Sequence, residues 1–347
     1  MHRSTFALAR VLAAALGALL FAAGCSGGSG SQGTTPPDLG AASIVSRAGT
    51  GISTVAVSLQ HALRPASHPL ARGAGWLSPS AKACPRKLYV SSYRLNYVSI
   101  YCTRGHNQAP IGQITNGIDT PEGANTDSQG NLYVTNTNAN TVTEYAPGTK
   151  KPSFTYSAGL SYPAGVAVDS KQNVYVSSLS PASVEVFPQG TNSPILTIGS
   201  SQIAYPIDLA IDANANVYVT TYTSSFSNGE IIEFPPNSTE GTNLGIVTKG
   251  PGGITLDKAG DIVTADQTLP GVLVFPPGAT SPSEVFGQNM TDPDPVRLDR
   301  KENEVYAGDA IGNAVYVYDY PSGTLVDTIT DGIDGPNGLA LDPAAPL

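Results

Sequence analysis

The sequence predicts an all-β chain that is built from one repeated unit. Gly, Pro and Tyr occur 37, 28 and 16 times in 347 residues, while only 13% of the residues are charged. This composition suits many short strands joined by tight turns. The second observation is a run of similar segments at intervals of 42 to 45 residues, a period that is typical of solenoids and propellers.

Each repeat begins with a proline that is followed six residues later by an aspartate. A polar turn and a strand come next, as in NLYVTN at 131, then a strand that ends in an aromatic residue and a weaker fourth strand. Period-two alternation within these runs indicates a four-stranded antiparallel meander, which is the blade of a propeller. The aspartates are interpreted as turn residues that accept backbone N–H bonds. They are Asp127, Asp169, Asp212, Asp257, Asp299 and Asp342.

The number of blades follows from the two ends of the repeat. Residues 88–115 match the second, third and fourth strands of a blade, whereas PNGLALD at 336 is a first strand with nothing after it. Joining the two removes the exposed edges that open sheets leave. The sequence therefore predicts a six-bladed β-propeller over residues 87–347, closed by a C-terminal first strand that joins the N-terminal blade. The fourth blade departs from the others through an insertion, TYTSSFSNG, at 221–229.

The N-terminal residues predict export. Arg3 and Arg10 form a positive region before the apolar run 11–23, which is too short to span a bilayer comfortably. The following Ala-Ala-Gly-Cys resembles the bacterial lipobox, which implies that Cys25 carries lipid and becomes the mature N-terminus. Ala22 stands where that pattern usually has Leu, and an ordinary signal peptide with an incidental cysteine is the alternative.

The predicted domains are accordingly three. Residues 1–24 are a lipoprotein signal peptide, residues 25–86 a flexible Gly/Ser/Pro-rich tether, and residues 87–347 the propeller. We expect the protein in the bacterial cell envelope, outside the cytoplasm, held to the membrane by its lipid anchor. In such a compartment a disulfide is favoured over free thiols, and Cys84 and Cys102 lie at the same end of the first predicted hairpin.

Charge is distributed unevenly along the chain. Residues 86–347 hold 12 basic and 26 acidic residues, so the propeller is strongly acidic. A field of this sign repels phosphate backbones and argues against nucleic-acid binding. It suits a cationic ligand or a metal, although solubility alone also explains it.

The repeat unit has the form P-x-G-x-x-x-D-x-x-G-N-x-Y-V and resembles the NHL repeat over about residues 87–347. NHL repeats occur in six-bladed propellers of the TolB-like group, alongside gluconolactonase-type and streptogramin-lyase-type enzymes. The resemblance implies the architecture and leaves the activity open.

Candidate metal ligands follow the proline of each first strand, at the predicted mouth of the channel. Glu122, Asp294 and Asn337 are oxygen donors on successive blades, so they are candidate ligands of a divalent cation such as Ca²⁺. Gluconolactonase-type propellers are similar here, with an Asn in a P/S-N-G context, which Asn337 matches, and an Asp in a P-D-G context, which Asp294 matches except that Pro295 follows it. A second ring after the second strands contains Asn136, Asp266 and Asp309. Capping of strand ends and hydration of the mouth is the alternative role for these residues.

No catalytic residue is assigned. Motifs for a nucleophile elbow, a Walker loop or a CxxC pair are absent from the sequence. His106 is the only histidine of the blade region and is predicted on the face opposite the channel mouth, which weighs against a lyase that needs a histidine base. The leading interpretation is a non-enzymatic, exported module that binds an unidentified protein or small molecule. The alternatives are a metal-dependent lactonase-type hydrolase and a purely structural envelope protein.

Overall fold

A computed structural model describes residues 75–269 and 271–342 of the chain. The predicted signal peptide, the lipidation site Cys25 and most of the predicted tether lie outside these residues. Within them, no helix has the length and apolar character needed to cross a membrane.

Blades 2 to 6 are alike, and each is a four-stranded antiparallel sheet whose strands follow one another in sequence. Blade 2 contains β5 (Pro121–Thr126), β6 (Leu132–Asn136), β7 (Thr141–Tyr145) and β8 (Phe154–Tyr156). Blade 3 contains β9 (Pro163–Val168), β10 (Asn173–Leu179), β11 (Ala182–Pro188) and β12 (Leu196–Ile198). Blade 4 contains β13 (Tyr205–Ile211), β14 (Val217–Tyr222), β15 (Gly229–Phe234) and β16 (Thr242–Thr248). Blade 5 contains β17 (Pro251–Leu256), β18 (Ile262–Asp266), β19 (Gly271–Phe275) and β20 (Glu284–Phe286). Blade 6 contains β21 (Pro293–Leu298), β22 (Glu304–Asp309), β23 (Ala314–Asp319) and β24 (Leu325–Ile329).

Blade 1 is built from both ends of the propeller. Its strands are β2 (Lys87–Ser92), β3 (Tyr97–Cys102), β4 (Gly112–Ile114) and, from the C-terminal end, β25 (Pro336–Asp342). The pairing of β25 with β2 is antiparallel and runs from Lys87 opposite Asp342 to Ser92 opposite Pro336. Neighbouring first strands contact one another all the way round the ring, including β25 with β5 and β21. The predicted six-bladed propeller and its closure are therefore confirmed.

An extra strand extends blade 1. Strand β1 (Trp76–Leu77) pairs with β4, and the short helix α1 (Ser80–Ala83) follows it. A side chain at Gly112 would overlap that of Leu77, so the missing side chain of β4 makes room for β1. The blade 1 sheet therefore includes residues before the boundary at 87 that the sequence predicted. Their local composition gave no strand signal, and their pairing with β4 is a tertiary contact.

The Cys84–Cys102 disulfide is confirmed. Cys84 directly follows α1, and Cys102 is the last residue of β3. The bond therefore joins the segment that enters the propeller to the sheet of blade 1.

The repeated aspartates act as predicted in the first hairpin of each blade. Asp127 Oδ1 accepts the backbone N–H groups of Gln129 and Asn131, both at 2.9 Å. The same pattern recurs at Asp169, Asp212, Asp257 and Asp299. Blade 1 is different, because Asp342 is the last residue of β25 and its carboxylate lies 3.6 Å from Lys87 Nζ.

Candidate functional site

The first strands place the predicted mouth residues around the channel. These strands approach one another closely: a Cβ at Gly123 would overlap the carbonyl oxygen of Ala164, and a Cβ at Gly338 would overlap that of Glu122. Glycine at these positions is therefore required by close backbone approach. The residue before it, directly after the proline, lines the mouth.

Glu122, Asp294 and Asn337 line one small pocket at the channel mouth, together with Ala164 and Ile207. The structure thus brings the three predicted ligands to one place. The free volume of the pocket is about 10 Å³, which is about enough for one water molecule. Asp294 and Asn337 are each only 6% exposed.

Part of this polar rim is held by bonds within the protein. The Thr137 hydroxyl lies 3.0 Å from Glu122 Oε2 and 2.9 Å from the carbonyl oxygen of Pro163, and it can donate its one proton to either. The hydroxyl thereby ties the hairpin of its own blade either to the Glu122 carboxylate or to the next blade.

Arg297 also lines the pocket and bonds to several blades. Its guanidinium donates from Nη1 to Asp208 Oδ2 at 2.8 Å, and to the carbonyl oxygens of Val296 at 2.8 Å and Ile254 at 3.2 Å. Nη2 donates to the carbonyl oxygen of Ala124 at 3.2 Å. These partners belong to first strands of blades 2, 4, 5 and 6, so one side chain extends across the channel and links four blades.

The ion pair is buried, since Arg297 and Asp208 are 7% and 6% exposed. Asp208 also accepts the backbone N–H of Ile254 at 3.2 Å. Burial of an isolated charge is strongly unfavourable, and these bonds offset that cost. Both residues line the mouth pocket, so the pair fills the channel at its mouth.

The pocket is a poor fit for the divalent cation that the lactonase interpretation requires. Glu122, Asp294 and Asn337 supply three oxygen donors, but the Arg297 guanidinium lines the same pocket and repels a second cation. The nearby Asp208 carboxylate is already engaged by that guanidinium, so it is not available as a further ligand. Within residues 75–269 and 271–342, no group of three or more His, Cys, Asp or Glu side chains is placed to hold a metal ion.

The predicted second ring of ligands is engaged in backbone hydrogen bonds. Asn136 Oδ1 accepts the N–H of Asp119 at 3.0 Å. The carboxylate of Asp266 accepts those of Lys249 and Gly250, at 2.8 and 3.0 Å. Asp309 accepts the N–H groups of Thr291 and Asp292 at 2.7 and 3.0 Å. These three side chains fix the loops that enter the first strands, as the alternative role of strand-end capping predicts.

Three hydroxyl groups of second strands, which the sequence interpretation did not include, each connect one blade to the next. Ser91 Oγ donates to the carbonyl oxygen of Glu122 at 2.7 Å, and Thr135 Oγ1 to that of Ala164 at 2.8 Å. Thr220 Oγ1 donates likewise to the carbonyl oxygen of Gly252 at 2.8 Å. The signal was present in the recurring YVS and YVT triplets of the second strands.

Arg297 and Asp208 also left a signal in the sequence. The repeats have Asn125, Ala167, Ala210, Thr255 or Ala340 where blade 6 has Arg297, so a long cation stands at a position otherwise held by short side chains. Asp208 replaces the small third residue that most repeats have. One cation, Arg297, and one extra carboxylate, Asp208, in the inner strands together indicate an ion pair at the channel.

His106 is exposed and does not reach the channel mouth pocket. Its Nδ1 lies 3.5 Å from Asp327 Oδ1, and both residues line a separate cavity of about 150 Å³. His106 is therefore not placed to act as a base on a molecule at the mouth.

Comparison with known proteins identifies the fold and nothing finer. No protein-family model matches the sequence, and no curated protein matches it either. Among solved structures, a nidogen/laminin complex is similar with a TM-score of 0.62 and 15% identity over 74% of this chain and 98% of that one. A functionally unknown protein from Desulfotomaculum acetoxidans DSM 771 has a TM-score of 0.56 and 18% identity, covering 75% of this chain and 99% of that one. A catalytically inactive histidine-to-alanine variant of virginiamycin B lyase from Staphylococcus aureus, with quinupristin, has a TM-score of 0.52 and 12% identity, covering 74% and 83%. At these identities the likeness shows the propeller architecture alone.

Proposed function

We propose that this chain is an exported, lipid-anchored propeller that serves as a binding module for a protein or small ligand outside the cytoplasm. The observation that carries the proposal is the closed channel. Because the Arg297–Asp208 pair lines a mouth pocket with room for about one water molecule, we expect a ligand to bind on the exposed faces of the propeller rather than inside the channel.

Export is supported by two independent features. The positive and apolar N-terminal regions precede a lipobox-like Cys25, and the disulfide between Cys84 and Cys102 is of a kind that persists in oxidising compartments. The fold also suits the role, since propellers with this architecture host many unrelated activities on their loops.

Metabolic labelling with an alkyne fatty acid tests the anchor. The wild-type protein should incorporate the label and partition with membranes, while Cys25→Ser should do neither. Cys84→Ser is the matched control, because it removes a cysteine of the propeller and should leave labelling unchanged. Equal labelling of wild type and Cys25→Ser would contradict the anchor.

In-cell photo-crosslinking tests the binding role. Leu269 is 57% exposed in the β18–β19 hairpin, and this hairpin lies on the mouth face because Asp266 pairs with Pro251, the first residue of β17. Ile195 is 64% exposed in the connection before β12, at the opposite end of its blade. A photoreactive residue at Leu269 should give a discrete crosslinked species, and one at Ile195 should not. The absence of crosslinks from Leu269 would count against a partner on the mouth face.

The lactonase-type hydrolase stays the second candidate, because Glu122, Asp294 and Asn337 do line one pocket. Calorimetric titration with Ca²⁺ and Mn²⁺ decides between the two. Saturable heat that is lost in Asp294→Ala would favour the hydrolase, and its absence in the wild type would remove it.

A further inference from the structure

A large cleft lies between blades 1 and 2, apart from the channel mouth. Its volume is about 710 Å³, which falls within the range of small-molecule sites. One wall comes from blade 1 and the β1–α1 segment, and the other from β6 and the turn after β7. The cleft shares no described lining residue with the mouth pocket.

One position in β4 distinguishes blade 1 from its neighbours. Gly112 lies opposite Ile100, where the corresponding strands of blades 2 and 3 have Phe154 and Leu196. The large side chain that the other blades place here is absent. Leu77 of β1 covers part of the resulting space and forms a wall of the cleft.

The interior of the cleft is apolar. Ile100, Ile114 and Leu132 line it, and each is 2% exposed or less. Two tyrosines complete the lining. Burial raises the pKa of Tyr145 to about 12 and raises that of Tyr89 as well, so both phenols are neutral near pH 7.

The charge at the rim is opposite to that of the propeller as a whole. Lys82 and Lys87 line the cleft, and none of its described lining residues carries a carboxylate. Lys87 Nζ already lies 3.6 Å from Asp342 and donates to the carbonyl oxygen of Cys84 at 3.3 Å. Lys82 is exposed on α1 and is the rim cation that a ligand can reach.

The corresponding cleft between blades 6 and 1 provides an internal comparison. Its lining includes Tyr306, Val317 and Ile329, which are the counterparts of Tyr89, Ile100 and Ile114. Its volume is only about 150 Å³, and Glu304 and Asp327 line it. The cleft between blades 1 and 2 is therefore both larger and free of carboxylates among its described lining residues.

We propose that the cleft between blades 1 and 2 binds a small amphipathic anion, with its apolar body against the accessible side chains of Leu77 and Pro147 and its anionic group at Lys82. The apolar lining contributes binding free energy through burial, and the rim lysine selects the sign of the head group. The site goes beyond the function proposed above, since it depends on neither the lipid anchor nor the mouth face.

Calorimetric titration of the mature protein with decanoate tests the site, and decyltrimethylammonium is the probe of equal chain length and opposite charge. Decanoate should bind saturably at one site, and the cationic probe should bind at least tenfold more weakly. Lys82→Glu should weaken decanoate binding about tenfold by reversing the rim charge. Lys171→Glu, an exposed lysine in the turn after β9, is the matched control and should bind as the wild type does.

Ala146→Phe tests the location, because Ala146 lines the cleft and a larger side chain would fill it. Decanoate binding should be lost while the thermal melt is unchanged. If this variant does not fold, Lys82→Glu decides the matter, because its side chain is exposed. Absence of saturable decanoate binding, equal binding of both probes, or equal affinities of Lys82→Glu and Lys171→Glu would each overturn the proposal. None of these results bears on labelling at Cys25, so the two proposals fail separately.

Discussion

Removing the cation from the channel should destabilise the whole propeller. In Arg297→Met the methionine retains apolar volume but loses the two bonds to Asp208, at 2.8 and 3.4 Å. It also loses donors to three carbonyl oxygens. Asp208 then keeps the N–H of Ile254 as a partner but carries an uncompensated buried charge.

The expected loss of unfolding free energy follows from the removal of one partner of this buried ion pair. Removal of one partner from a buried ion pair typically costs about 3–5 kcal/mol. The total free energy of unfolding of a domain is about 5–15 kcal/mol, so the loss is a large part of it. Asp208→Asn should cost a similar amount. The double variant Asp208→Leu/Arg297→Met leaves no buried charge and should be far closer to the wild type than the sum of the single variants.

Urea unfolding, followed by circular dichroism and by fluorescence, measures these differences. Coincident transitions with an unchanged m-value justify the two-state treatment. Arg300→Met provides the control, because Arg300 is exposed in the first hairpin turn of blade 6. If Arg297→Met unfolds within about 1 kcal/mol of that control, or if the single variants are additive in the double variant, the channel pair does not link the blades as we infer.

Three further predictions concern closure, the disulfide and pH. Truncation after Gly335 removes β25, exposes the unpaired edge of β2, and should make the protein aggregate or melt far below the full-length chain; an equal melting temperature would contradict the closure. Reduction of the Cys84–Cys102 bond, which spans 18 residues, should lower the free energy of unfolding by about 3 kcal/mol, measured against the Cys84→Ser/Cys102→Ser variant with and without reductant. That variant should not respond to reductant. Burial raises the pKa of Glu144, so ionisation opposes folding, and the free energy of unfolding should fall as pH rises through the interval above its ordinary pKa of 4.5. Glu144→Gln should remove this part of the pH dependence in unfolding titrations from pH 4 to 7, and identical slopes in both proteins would refute the assignment.

The fold could be predicted from the sequence because its determinants are local. The proline–aspartate spacing, the period-two strands and the turn residues recur in each unit, and each unit shows the same meander. Closure of the ring could also be predicted, because the blade at residue 88 lacks a first strand and the strand at 336 has no blade of its own. The disulfide followed from the same hairpin register.

The candidate site could be predicted from the sequence only in part. The position after each proline correctly placed Glu122, Asp294 and Asn337 at one pocket. Their residue types alone suggested a metal site. The spacing of residues along the chain does not reveal that a cationic side chain from another blade lines the same pocket. Arg297 changes that chemistry.

The sequence by itself thus determined the blade, the number of blades and the way the ring closes, since hydrogen-bonded hairpins and hydrophobic alternation act over a few residues. Only the tertiary structure decided what lies inside the ring and along its edge. Arg297 and Asp208 are 89 residues apart, and their pairing depends on the curvature that brings the non-adjacent inner strands of blades 4 and 6 within reach of one side chain. The cleft between blades 1 and 2 likewise depends on tertiary contacts, because its lining combines the added strand β1, which pairs with β4, with residues of the next blade.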